Sequence, residues 1–303
     1  MDRLQALYYY RPMDSFKGIA IVTGASSGLG TSFSRILAAQ AAANQSSLAQ
    51  ASGQATRASP QCGMPGFDEI WLVARRADRL AALADELRSV APGLAVAAMP
   101  ADLTAPGAVA ELASKAAEAV ASGKPVRVLI NNAGFGTYGD FCDTDLDRQL
   151  GQLDLNCRTL TESCGRFSPL LVRGSMVINV ASLAAFAPLG GFAVYAASKA
   201  YALSLSVALA AEWKGRGIRV CALCPGPVST EFSLVASAGA RAEVKHGWSA
   251  DRTAAACLRD AVRGKQISMP RALWRFRRFA GWVFGPELSA AFAHRFMKRP
   301  SAT

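Results

Sequence analysis

The sequence predicts an α/β fold, a doubly wound parallel sheet with helices on both faces, and three observations predict it. Short apolar runs rich in β-branched residues alternate with helix-length segments along most of the chain. The first run closes on a cluster of glycines placed as a tight turn into a helix. Asp102, Asn131, Ser182 and Pro225 each fall just past the end of such a run, where a parallel sheet gathers its carboxyl ends and binds ligands.

The chain of 303 residues is 51% hydrophobic, enough for one large core, and no change of composition divides it. Residues 1–17 hold Tyr8, Tyr9 and Tyr10 among charges and read as a loose lead-in. The domain is expected over residues 18–270, followed by a basic helical tail over 271–303. Residues 18–23 form the first strand, and Gly24-Ala25-Ser26-Ser27-Gly28-Leu29-Gly30 the turn after it. Glycines at 24, 28 and 30 permit a pyrophosphate to approach the backbone N–H groups that open the next helix. A ligand-free glycine hinge is the plainer alternative. That helix is expected to end near Ala43, because residues 44–66 are rich in Ala, Ser, Gln and Gly and read as a flexible insertion.

A second strand over residues 69–74 delivers Arg75 and Arg76 to its carboxyl end. In a doubly wound sheet this position meets the ribose of a dinucleotide, and arginines there favour the 2′-phosphate of NADP(H) over NAD(H). A helix follows over 78–90, then a strand over 94–99, a helix over 104–122, and a strand over 126–130. A long helix is expected over 144–172, a strand over 175–180, the helix carrying Tyr195, and a strand over 218–224.

Seven cysteines without a secretory signal point to reduced thiols and a cytoplasmic setting. Cys221 and Cys224 lie three apart on a strand and face opposite sides. With His246 and His294 the only imidazoles, no metal site is expected. No apolar run is read as long enough to span a bilayer.

In Tyr195-Ala196-Ala197-Ser198-Lys199 a phenol and an ammonium share one helix face. The lysine is expected to draw the tyrosine below its usual pKa of about 10.

These motifs together resemble the short-chain dehydrogenase/reductase family, the short single-domain type, over residues 18–230. The resemblance implies a Rossmann-like three-layer α/β/α fold and carbonyl–alcohol interconversion by hydride transfer, with Tyr195 as general acid/base. Asn156, Ser182, Tyr195 and Lys199 match the catalytic tetrad: Ser182 donates to the carbonyl oxygen, Lys199 binds the nicotinamide ribose, and Asn156 holds a water joining Lys199 to solvent. The implied cofactor contacts are Gly24, Ser26, Ser27, Gly28, Leu29 and Gly30 in the turn, Arg75 and Arg76, then Asp102 and Leu103 at the adenine. Asn132, Ala133 and Gly134 follow, with Tyr195, Lys199, Pro225, Gly226, Val228 and Thr230 around the nicotinamide. The implied partners are a small carbonyl or alcohol substrate and a second copy of the chain, as a homo-oligomer. A dinucleotide-binding sensor without turnover is the alternative. After Thr230 the resemblance assigns nothing, and Phe232, Leu234, Val235 and Trp248 are pocket candidates from composition alone.

The net charge of +11 concentrates late in the chain, where residues 263–303 hold nine Lys and Arg against the single acid Glu287. No nucleic-acid motif accompanies it. Residues 271–284 read as a helix with Arg271, Arg275 and Arg278 on one face and Leu273, Phe276, Phe279 and Val283 opposite. Two placements are open: peripheral contact with a membrane, or an ordinary helix packing its apolar side on the domain with its arginines in water.

Overall fold

The computed structural model describes residues 17–51, 63–240 and 247–297, and for 45–51 the backbone only. The lead-in before Lys17, most of the insertion and His246 lie outside the described residues. Seven parallel strands, β1 (Ile19–Thr23), β2 (Glu69–Ala74), β3 (Ala95–Pro100), β4 (Val126–Asn131), β5 (Leu171–Val180), β6 (Arg219–Leu223) and β7 (Ile267–Ser268), are ordered β3-β2-β1-β4-β5-β6-β7. The chain winds outward from β1 through β3, then returns to the other side of β1 at β4. This reversal opens a crevice beyond the carboxyl ends of β1 and β4, the place such sheets bind ligands.

Alternation of side chains along the strands separates two cores. Ala20, Val22, Leu72 and Ile130 point to one face, under Phe33 and Leu37 of α1 (Gly28–Ala51), Leu80 and Leu87 of α2 (Ala77–Val90), and Leu258 of α8 (Ala250–Val262). Ile19, Ile21, Val73 and Leu129 point to the other. They pack on Leu112 of α3 (Ala108–Ala121), Phe167 of α5 (Leu160–Phe167), and Ala202 and Ala210 of α6 (Ala193–Glu212). Burying each large apolar side chain stabilises by about 1.5–3 kcal/mol, so each helix face is held by several such groups. Cys221 and Cys224 fall in opposite cores, as their spacing predicts.

Several boundaries differ from the sequence reading. Helix α1 continues to Ala51, since Gln45, Leu48, Ala49 and Gln50 are residue types that favour helix. α3 starts at Ala108, because Asp102 accepts the Thr104 N–H at 3.0 Å in a local turn and Gly107 takes φ 81°. The helix expected over 144–172 comes in pieces: α4 (Leu146–Leu153), a π-helical turn (Asp154–Thr159) and α5. β5 begins early, at Leu171, which pairs with Val126. α6 is long and apolar enough by composition to cross a bilayer, contrary to expectation. Its inner side, with Ala202 and Ala210, packs on the sheet, while Tyr201 on the outer side is exposed.

The largest departure is α9 (Ala272–Phe296), bent at Gly285 with φ 77°. At about 100° per residue, Trp274, Arg278 and Gly281 share the side turned to the domain, and Phe276, Phe279 and Val283 the opposite side. Trp274 is 1% exposed while Phe276 is 64% and Trp282 78% exposed. The arginines are exposed as expected, but the apolar face is not the one packed on the domain. The reason is local: the Trp274 indole seats where Gly226 has no side chain, since a Cβ there would lie 2.4 Å from Nε1. The Arg278 guanidinium stacks 4.6 Å from the Phe186 ring centroid.

Candidate active site

The turn after β1 is built for backbone approach. Gly24 and Gly28 take φ of 66° and 54°, which side chains rarely allow. Gly30 packs inward, where a Cβ would stand 2.1 Å from the Gly24 carbonyl oxygen, so it sets the turn and does not line the cleft. Asn132 fixes the turn from β4: its Nδ2 donates to the Thr23 and Gly24 carbonyls at 3.0 and 3.1 Å, and its N–H donates to Thr23 Oγ1 at 3.0 Å. The first N–H groups of α1 then face a cleft of about 1580 Å³. Ser26, Ser27, Leu29, Arg75, Arg76, Asp102, Leu103, Ala133, Gly134, Pro225, Val228 and Thr230 all line it.

The two arginines part company. Arg76 is held by Glu231 at 2.9 Å and reaches Ser26 Oγ at 3.3 Å, while Arg79 takes the other Glu231 oxygen at 2.5 Å. Hydrogen bonds from Arg79 and Arg76 hold the Glu231 carboxyl below its usual range. Arg75 is exposed at the cleft wall, with no ion pair among the described residues. Glu231 and Arg79 went unnoticed in the sequence, where an i, i+3 arginine beside Arg76 was the available signal. Asp102 uses one oxygen on Thr104, at 2.7 Å from Oγ1.

At the far end of the cleft, α6 brings Tyr195 and Lys199 beneath Ser182. All three are buried. Lys199 Nζ donates to the Val180 carbonyl at 2.7 Å and lies 5.8 Å from the Tyr195 ring centroid. The expected acidification of Tyr195 does not appear: burial pushes the phenol well above its usual range, and the Ser182 hydrogen bond only partly opposes this. The same burial lowers Lys199 to about 8. Charge on either group is costly here, so the phenol keeps its proton.

Asn156 sits buried in the π turn, behind Gly134 of the cleft wall. Its Oδ1 accepts the Phe135 N–H at 3.2 Å, and its Nδ2 donates to the Phe135 carbonyl at 2.9 Å and to Ser198 Oγ at 3.0 Å. It positions the loop after β4 against α6. Behind it runs a buried chain that the sequence did not disclose: Ser163 donates to Asn131, Asn131 to Asn179, and Asn179 to Ser206, at 2.7, 2.9 and 3.0 Å.

The open side is apolar. Phe192 stacks on Tyr195 at 4.1 Å, Phe232 lies 5.3 Å away, and Phe186, Leu189, Phe284 and Leu288 extend the wall. Of the composition-based candidates, Phe232 and Val235 line the cleft. Leu234 points to solvent, and Trp248 packs edge-on to Trp274 at 5.3 Å, behind the wall.

A glycine turn at the switch point and a Ser, Tyr and Lys group at the carboxyl edge define the class. The sequence model of the short chain dehydrogenase family matches residues 50–239. The chain belongs to that oxidoreductase family. It is 34% identical over 220 residues to galactitol 2-dehydrogenase (L-tagatose-forming) of Cereibacter sphaeroides, covering 71% of this chain and 73% of that one. A 115-residue stretch is 35% identical to the "Probable oxidoreductase EphD" of Mycobacterium tuberculosis, but the match covers only 19% of that protein. Among solved structures, a short-chain dehydrogenase from Sphingobium yanoikuyae in complex with NADPH superposes with TM-score 0.70 at 28% identity, covering 88% of this chain and 94% of that one.

Proposed function

We propose that the protein is an NADP(H)-dependent oxidoreductase that interconverts a carbonyl and a secondary alcohol on a bulky, apolar substrate. The observation that carries this reading is the convergence of Ser182, Tyr195 and Lys199 at one end of a cleft whose other end is the glycine turn. The cleft fits a dinucleotide in kind: helix N–H groups and glycines for the pyrophosphate, Asp102 and Leu103 at the adenine end, and Arg75 for a 2′-phosphate, with Arg76 held beside it by Glu231. Bound there, the nicotinamide supplies hydride.

The chain supplies proton and position. In the reducing direction Tyr195 gives its phenolic proton to the carbonyl oxygen as that oxygen gains charge, and the Ser182 hydroxyl donates a second hydrogen bond to it. Lys199, charged below about 8, stabilises the phenolate left behind. Asn156 can offer a water on Lys199 only an acceptor, since both of its amide protons are engaged. The galactitol relative acts on a polyol. The aromatic wall here offers a polyol few partners and favours an apolar ketone. A homo-oligomer is also proposed, with Leu146, Leu150 and Leu153 of α4, all exposed, as the surface for the second copy.

The test is oxidation of NADPH and NADH against ketones, aldehydes, 3-oxoacyl thioesters and steroids. NADPH consumption with bulky apolar ketones is expected. Tight dinucleotide binding with no turnover on any class would make the protein a sensor.

A further inference from the structure

Helix α9 presents to solvent what a helix ordinarily hides. Phe276, Phe279, Trp282 and Val283 are exposed on its first segment, and Leu288, Phe292 and Phe296 on its second. This is too many large apolar side chains in one contiguous element for a bare surface in water. Around them stand Arg271, Arg275, Arg277 and Arg295, none in an ion pair among the described residues. The only acid of the segment is Glu287.

We propose that α9 seats the protein on the surface of an anionic lipid bilayer, with its aromatic face among the acyl chains and its arginines at the headgroups. Charge decides between occupants. A second copy docking by this face would bring two arginine-rich, acid-poor surfaces together, and like charges oppose that contact. An anionic headgroup layer meets the same arginines with opposite charge, each contributing on the order of 1 kcal/mol near such a surface. Helices of this kind lie in the interface plane with the apolar side roughly 5–10 Å deep.

Position supports the same occupant. Phe284, Leu288, Phe292 and Phe296 are at once exposed and part of the rim of the cleft. The face offered to lipid is therefore continuous with the mouth that leads to Tyr195. Trp274 and Arg278 fix which face this is, because both are turned to the domain. That consequence for substrate entry rests on the proposed function, whereas docking itself does not.

Flotation of the full-length protein separates the outcomes. With vesicles of phosphatidylcholine containing phosphatidylserine the protein is expected to float at low salt, to float less at high salt, and to stay behind with phosphatidylcholine alone. Arg271→Glu with Arg275→Glu should weaken partitioning at least about tenfold. Phe276→Ser with Phe279→Ser should abolish it, with NADPH oxidation in detergent-free buffer unchanged, since none of the four lines the cleft. Trp282 fluorescence, assigned by difference against Trp282→Phe, should shift to the blue on vesicle addition. Equal flotation with neutral vesicles, insensitive to salt, overturns the proposal. So does a failure to float combined with dimerisation in sedimentation that Phe276→Ser with Phe279→Ser removes, which makes the occupant a second copy. Failure to float without such a dimer overturns it as well. Because flotation needs no substrate, an inactive wild-type protein that still floats refutes the function and leaves the docking standing.

Discussion

Helices α6 and α9 are similar in length, 20 and 25 residues, and both are rich in apolar side chains, yet the fold uses them in opposite ways. α6 buries its chemistry: Tyr195, Ser198 and Lys199 are inside, each with a partner, and small alanines let it lie close on the sheet. α9 buries one tryptophan and one alanine and leaves its aromatics outside. Composition alone does not say which face of a helix is wanted by the core. The core decides by offering a seat, and Gly226 offers one only to Trp274.

The sharpest way to break this comparison is at Tyr195. Tyr195→Phe keeps the ring stacked on Phe192 and deletes the proton, so turnover is expected to fall about 10²–10⁴-fold while calorimetry finds NADPH binding little changed. A variant retaining more than a tenth of the wild-type rate would falsify the acid role.

The next effect is structural. Trp274→Ala removes the only deep anchor of the first half of α9 and should cost about 3–5 kcal/mol in urea unfolding. A loss below 1 kcal/mol would mean that the helix is held elsewhere, through Ala293 and the His294–Asp140 contact of 3.0 Å.

If Arg75 meets a 2′-phosphate as proposed, Arg75→Ala is expected to weaken NADPH by about 1.5–3 kcal/mol and leave NADH unaffected, its guanidinium having no ion pair among the described residues. Arg76→Ala should instead loosen both cofactors modestly, because its guanidinium already belongs to Glu231. Equal discrimination by Arg75→Ala and wild type in titration would remove Arg75 from the reading.

A smaller effect follows from the pKa of Lys199. It is lowered, so the ammonium is present below about 8 and lost above it. The reductive kcat/KM should hold through neutral pH and fall toward tenfold per unit beyond about 8. Lys199→Arg, if active, should flatten that limb, and a wild-type profile level to pH 10 would contradict the role.

Smallest of all, Trp282→Ala should change stability by less than about 0.5 kcal/mol, since exposed side chains contribute little to folding. A large loss would show Trp282 to be packed.

Much of this was legible in the residues. β1, β2, β4, β5 and β6 were readable because buried parallel strands are short continuous apolar runs bounded by turn formers, the half-exposed edge strand β3 by its apolar run alone, and the glycine turn because Gly24 and Gly28 take φ values that side chains rarely allow. Tyr195, Lys199 and Ser182, picked out by order and spacing, do meet in one cleft. Three things were not legible. The broken helix over 144–172 keeps an unbroken helical pattern in sequence, and its π turn arises where Asn156 turns to Phe135 and Ser198. The protonated state of Tyr195 depends on how fully the fold removes water, which spacing does not encode. The facing of α9 depends on a hole at Gly226, nearly fifty residues away.

That hole has a thermodynamic consequence. Gly226 lines the cleft, and it also receives the indole that seats α9. On the proposed reading, one small volume thus serves as floor for the helix and roof for the dinucleotide. Linkage makes such sharing reciprocal. If a lipid surface shifts the seat of Trp274 and so changes affinity for the dinucleotide by some factor, the dinucleotide must change affinity for the surface by the same factor. Membrane partitioning measured with and without saturating NADPH would then report, with no catalysis at all, how tightly the two ends of the molecule are coupled.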